Sequence, residues 1–185
     1  MILYPTETIY ALGVNAFDEA EIAKLFLLKG RSEGKSVSLL VRNAKDIARW
    51  GVMSTKAVRI AERFLPGPLT LVLPAKSGVP ECAKYHDGTV SFRISTDLVA
   101  QKLIEEFMAE YDAPLTCTSA NLSGLPSLPT PGEIFIQLGD KASLIDRVIP
   151  DGERTGVAST VVRVIGEELT IHRQGLISES AILAT

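Results

Sequence analysis

What most restricts the fold is a series of short, strand-sized apolar runs: Ile2–Tyr4, Val37–Val41, Leu69–Leu73, Val90–Ile94, Leu115–Thr118, Leu144–Ile149, Thr160–Ile165 and Leu169–His172. Segments with helical periodicity fill several of the gaps between them. Asp18 to Lys29 opens on a capping-box pair, Asp18 and Glu21, places Ile22, Leu25, Phe26 and Leu28 largely on one face, and closes at Gly30. Ser54 to Phe64 does the same with Ala57, Val58, Ile60, Ala61 and Phe64 before Pro66-Gly67-Pro68 breaks the chain. A third helix starts at Thr96-Asp97, with Leu98, Leu103, Ile104, Phe107 and Met108 as its buried stripe, and Thr130-Pro131-Gly132-Glu133 starts a fourth. Strands interleaved with helices predict an α/β fold with a mixed, twisted sheet. The runs near 69–94 and 160–172 have no helix between them, so each predicts an antiparallel pair, which argues against a purely parallel doubly wound sheet.

The bulk numbers narrow the function classes. At 185 residues the chain suits one domain spanning 1–185, with enough apolar residues (46%) for a core without metal or disulfide staples. No apolar run approaches the ~18 residues that cross a bilayer, and MILYPTET lacks the basic start of a signal peptide. Two cysteines, Cys82 and Cys117, build neither a disulfide framework nor a structural zinc site, which predicts reduced thiols and a cytoplasmic location. A net charge of −3 weighs against a dedicated nucleic-acid binder but leaves room for a nucleotide site with a few placed cations.

Five polar clusters sit at strand ends or in the loops after strands, where open α/β sheets bind ligands. Tyr4-Pro5-Thr6-Glu7-Thr8-Ile9-Tyr10 is a turn that presents hydroxyls, a carboxylate and a phenol; its bland alternative is an ordinary Thr-rich turn. Lys29-Gly30-Arg31-Ser32-Glu33-Gly34-Lys35-Ser36 suits a polyphosphate or is a solvated basic loop; it lacks P-loop spacing. In Gly88-Thr89-Val90-Ser91-Phe92-Arg93 the alternation puts Thr89, Ser91 and Arg93 on one face. A buried Arg93 demands an anionic partner, either a ligand or an internal ion pair. Thr116-Cys117-Thr118-Ser119-Ala120-Asn121-Leu122-Ser123-Gly124 runs from strand into a loop of small residues whose backbone N–H groups can approach an anion, with Cys117 read as a wall residue. Gly156-Val157-Ala158-Ser159-Thr160 and His172-Arg173-Gln174-Gly175 add a hydroxyl pair and a terminal cation.

Taken in order, YPTETIYALG, KGRSEGKSVSLLV, FLPGPLTLVL, GTVSFRIS, PLTCTSANLSG, GVASTVV and IHRQGLI resemble the motif series of the YrdC/TsaC family, the threonylcarbamoyl-AMP synthases, from about residue 3 to 177. The short bacterial-type form is the better match. The resemblance implies an α/β domain whose twisted mixed sheet, flanked by helices, surrounds a deep cavity. It implies synthesis of threonylcarbamoyl-AMP and pyrophosphate from L-threonine, bicarbonate and ATP, for the N6-threonylcarbamoyladenosine modification of tRNA. Catalytic roles would fall to Arg31, Lys35 and Arg93, and the threonine pocket would use Thr8, Arg93, Cys117 and Ser159. Nucleotide binding would use Arg31, Lys35, Thr89, Ser119, Ser127 and Arg173, with Lys29, Tyr10 and Asn121 near the pocket. Mg2+ would accompany ATP without a protein-bound metal site. The product would pass to a separate tRNA-threonylcarbamoyl transferase complex.

The chain departs from the family pattern at Ala11, where relatives usually carry Gly, and at Ser32 and Ser36, where they often carry Pro. Three other functions fit the same resemblance: a double-stranded RNA or tRNA-binding module, a carbamoyl transferase acting through a carbamoyl adenylate, and a nucleotide-binding relative without turnover.

Overall fold

The computed structural model describes residues 1–30, 37–154 and 156–185. Ten strands occur among the described residues: β1 Ile2–Tyr4, β2 Ala11–Gly13, β3 Ser38–Leu40, β4 Leu69–Pro74, β5 Thr89–Arg93, β6 Leu115–Thr116, β7 Thr118–Ser119, β8 Arg147–Val148, β9 Thr160–Ile165 and β10 Glu168–Arg173. Six α-helices accompany them: α1 Glu19–Lys29, α2 Ala44–Trp50, α3 Thr55–Phe64, α4 Leu98–Tyr111, α5 Pro131–Leu138 and α6 Glu179–Leu183.

The strands form two sheets rather than one, in the orders β7-β2-β1-β8 and β10-β9-β4-β5-β3-β6. Both antiparallel pairs expected from the sequence are present, β4 with β5 and β9 with β10, beside the parallel pairs β3–β5 and β4–β9. The sheets part at Cys117. The apolar run read as one strand from Leu115 to Thr118 is two: β6 pairs with β3 in the larger sheet, and β7 pairs with β2 in the smaller. Cys117 stands alone at the crossing, tied by its N–H to the Ser38 carbonyl at 2.6 Å.

Side-chain alternation gives the six-stranded sheet two chemically different faces. Leu71, Phe92 and Leu39 line up across β4, β5 and β3, and they pack into a core with Ile47, Ile60, Leu103 and Ile104 from α2, α3 and α4. The opposite face carries Thr70, Ser91, Arg93 and Ser38. A second core joins α1 and α5 to the smaller sheet through Leu3, Leu12, Ile22, Leu25 and Ile134.

The caps behave as their sequences dictate. Asp18, Asn43, Ser54, Asp97, Thr130 and Ser178 each accept from a backbone N–H in the first turn of the helix they precede. Gly30 ends α1 at φ 60°. Three expectations change. Val58 is exposed, off the Ala57, Ile60 and Ala61 face of α3. Leu98 is 79% exposed instead of buried, because it lies two residues from Ala100 and so on another face of α4 from the Ala100, Leu103, Ile104 and Met108 stripe. The run Leu144–Ile149 supplies only the two-residue edge strand β8, after a 3₁₀ turn at Gly139–Leu144. Strand β2 and helices α2 and α6 had no sequence signal strong enough to separate them from turns.

Candidate active site

The polar face of the larger sheet meets the 117–124 segment across a cleft of about 380 Å³. Lys29, Arg93, Cys117, Ser119, Asn121, Ser159 and Arg173, drawn from four of the five sequence clusters, all line it. Thr8 stands directly behind, bonded to Arg93. Thr89 shares their face of β5 but opens into an adjoining hollow, which meets the cleft at Tyr85 and Val161. Its hydroxyl donates to Asp87 at 2.6 Å; that bond, then the Arg163 guanidinium, holds the Asp87 carboxyl below its ordinary range.

Arg93 is 4% exposed, and its partners are within the protein. One terminal nitrogen donates to Glu7 Oε1, and both lie 3.3–3.4 Å from Thr8 Oγ1. Its Nε is buried and finds no acceptor among the described residues. The internal ion pair therefore coexists with a spare donor. Thr8 owes its position to Thr6, whose hydroxyl donates to the Ile9 carbonyl at 2.6 Å and accepts the Ile9 N–H, so the PTET turn folds around its own side chain.

Arg173 reaches the cleft through a backbone irregularity. The β9–β10 register runs regularly to Ile171 opposite Val162, then Arg173 faces Val161. That bulge at His172 turns Arg173 onto the cleft side; in a regular ladder it would lie opposite Thr160, on the other face. Its guanidinium donates to the Ser159 carbonyl at 3.0 and 3.1 Å and to Ser159 Oγ at 3.3 Å. Burial, then the nearby charge of Arg93, pushes the Arg173 pKa down. Two guanidiniums that disfavour one another mark a cleft that calls for an anion.

Lys29, at the C-terminus of α1, donates to the carbonyls of Ser119 and Asn121, the latter at 3.0 Å, and so fixes the 117–124 loop. Asn121 donates to the Leu122 and Leu125 carbonyls, while its Oδ1 is buried with no partner among the described residues. Cys117 lines the wall of the cleft. Burial pushes its thiol up, away from thiolate, and it sits beside the fully buried Tyr4, whose hydroxyl donates to the Thr116 carbonyl at 2.8 Å.

Not every expected residue joins this group. Tyr10 is a strut: its hydroxyl donates to the Gly152 carbonyl and accepts the Asp151 N–H, away from the cleft. Ser127, half-buried on its loop, is not among the lining residues. Arg31 and Lys35, with Ser32 and Ser36, lie outside the described residues. Sequence reasoning missed Thr70, which lines the cleft and holds Ser159 Oγ at 2.7 Å. Its signal was available in the alternation of LTLV, where Thr70 interrupts an otherwise apolar strand.

A hydroxyl-rich, cationic cleft on an α/β frame with two sheets is a setting suited to small anionic ligands. Comparison with known proteins gives the family. The Sua5–YciO–YrdC family model, described as "Telomere recombination", matches residues 1–175, and the chain belongs to that family. A relative from Methanocaldococcus jannaschii, named putative threonylcarbamoyl-AMP synthase, is 31% identical over 179 residues, covering 96% of this chain and 80% of its own. The threonylcarbamoyl-AMP synthase of Pyrococcus abyssi is 37% identical over 88% of this chain, which spans only 46% of that longer protein. The crystal structure of Pyrococcus abyssi Sua5 complexed with L-threonine superposes with a TM-score of 0.88 at 32% identity, covering 99% of this chain and 52% of that one.

Proposed function

We propose that this protein is a threonylcarbamoyl-AMP synthase, consuming L-threonine, bicarbonate and ATP and releasing pyrophosphate. The relatives' names support the activity, and the observation that carries it for this chain is the cleft itself. Arg93, Arg173 and Lys29 line it with small hydroxyls, and its described lining contains no carboxylate. Such a site suits a polyanion meeting a second, carboxylate-bearing ligand.

In the reaction the amine of threonine forms a bond to the carbon of bicarbonate, one C–O bond breaks and water leaves, giving a carbamate. A carbamate oxygen then attacks the α-phosphorus of ATP, the bond to the β-phosphate breaks, and pyrophosphate leaves. Both partners are anionic, so alignment and charge stabilisation carry the rate, with no covalent enzyme nucleophile. Arg93, Thr8, Ser159 and the backbone at Cys117 bind threonine in this reading. Arg173, Ser119 and Thr89 bind the nucleotide, and Arg31, Lys35 and Ser127 join them on the strength of the sequence motifs. Mg2+ enters with ATP: the cleft's described lining offers hydroxyl and carbonyl oxygens but no carboxylate, so phosphates and water supply most of its ligands. The product goes to a transferase complex that modifies tRNA, and the chain acts in the cytoplasm as one domain.

The test is pyrophosphate release by purified protein, omitting threonine, bicarbonate or ATP in turn. Release that requires all three is expected. Release without threonine, or none from folded protein, would overturn the reading.

A further inference from the structure

Glu7 belongs to the motif that supplies Thr8, yet its role in the cleft is unassigned. Its side chain is 14% exposed, and both carboxylate oxygens are occupied. Oε1 takes the Arg93 guanidinium and Oε2 takes the Ser95 hydroxyl. Ser95 Oγ also accepts the Asp97 N–H at 3.1 Å. Asp97 caps α4 and pairs with Arg154 at 2.9 Å, and Arg154 Nε returns to the Thr6 carbonyl at 2.8 Å. The contacts close a ring through the PTET turn, the end of β5, the first turn of α4 and residue 154. Within it, Glu7 is the carboxylate that pairs with Arg93, beside the Thr8 hydroxyl.

We propose that Glu7 is a positioning residue for Arg93, fixing the plane of the guanidinium that lines the threonine side of the cleft. Resting on the threonylcarbamoyl-AMP synthase reading, this assigns Glu7 to threonine recognition and leaves the nucleotide to other residues. A carboxylate is needed because both of its contacts are donors. Arg93 has no acceptor to offer, and the Ser95 hydroxyl, which already accepts the Asp97 N–H, donates to Glu7. The amide of Gln carries one acceptor and one donor. With its oxygen on Arg93 it can only donate to Ser95, reversing that bond, and it removes the negative charge that faces Arg93.

The experiment compares wild type with Glu7→Gln, Glu7→Asp and Ser95→Ala, measuring pyrophosphate release against threonine and ATP separately, threonine binding by calorimetry, and melting temperature. Glu7→Gln is expected to lower kcat/KM for threonine about tenfold to a hundredfold, as small misplacements of a binding group do, while the KM for ATP stays within about twofold. Ser95→Ala moves the same parameter less, and Glu7→Asp recovers part of what Gln loses. If Glu7→Gln fails to fold, Ser95→Ala and Glu7→Asp carry the test. Equal losses toward ATP and threonine, or unchanged threonine kinetics in folded variants, would overturn the assignment. Wild-type protein that neither binds threonine nor turns over would instead remove the synthase reading, and this inference with it.

Discussion

A single methyl group at Gly175 should disorganise the corner that holds Ser159 and Arg173. A Cβ built on Gly175 would lie 2.1 Å from the Ala158 carbonyl oxygen, 2.5 Å from Ser159 C and 2.6 Å from Thr160 N. All three are backbone atoms, so no side chain can swing aside. Relief requires the two segments to separate by about 1 Å, which costs roughly 1 to 3 kcal/mol as overpacking. Separation also strains the bonds that Thr160 Oγ1 accepts from Gly175 N–H and Ile177 N–H, at 2.9 and 3.0 Å, each worth about 1 kcal/mol. With each of these bonds weakened by about half, the sum is roughly 2 to 4 kcal/mol. In a chain of this size each kcal/mol lowers the melting temperature by about 2 to 4 °C, so Gly175→Ala should melt roughly 4 to 16 °C lower. Calorimetry gives the melting temperature, and a threonine titration of pyrophosphate release gives the functional effect, a raised KM from the displaced Ser159. A variant that melts within a degree or so of wild type and keeps its threonine KM would refute the packing argument.

Three further outcomes are expected. Arg93→Ala should lose about a hundredfold or more in threonine-dependent turnover, corresponding to roughly 3 kcal/mol of charge-assisted hydrogen bonds, measured as kcat/KM for threonine. Tyr10→Phe leaves Asp151 N–H and Gly152 C=O without the phenol, so it should cost roughly 1 to 2 kcal/mol in urea denaturation while the threonine KM holds. The Cys117 thiol is raised by burial above its ordinary 9.0, so unfolding releases its proton once the pH passes that value; stability is full below it and declines above. Denaturation between pH 8 and pH 10 should show that decline, and Cys117→Ala should lessen it, with the remaining slope set by the Cys82 thiol, also raised by burial, and by the buried Tyr4 hydroxyl, whose ordinary value is 10.0.

How much of this was legible in the sequence depended on whether the signal was local. Helix starts at Asp18, Ser54, Asp97 and Thr130 were readable because a cap is a contact across three residues. The face of β5 bearing Thr89, Ser91 and Arg93 followed from period-two alternation. The division into two sheets was not readable, since nothing in Leu-Thr-Cys-Thr-Ser marks Cys117 as the point where one strand becomes two. Nor was the bulge that turns Arg173 inward, because His172 looks like any strand residue until its partner on β9 is known. The partners of the Tyr10 hydroxyl were hidden for the same reason: Asp151 and Gly152 are far away in the chain. Arg93 shows the limit most sharply. Its need for an anion was evident from burial and charge, but the presence of Glu7 beside it came from a turn folding back onto the strand.

The most direct test of the account is the identity of the product. Protein incubated with ATP, 13C-bicarbonate and 15N-threonine should yield an adenylate that carries both labels in its mass spectrum, with pyrophosphate in equal amount. An adenylate carrying the nitrogen label but not the carbon label would contradict it, as would AMP and pyrophosphate appearing with no labelled adenylate even at the earliest time points.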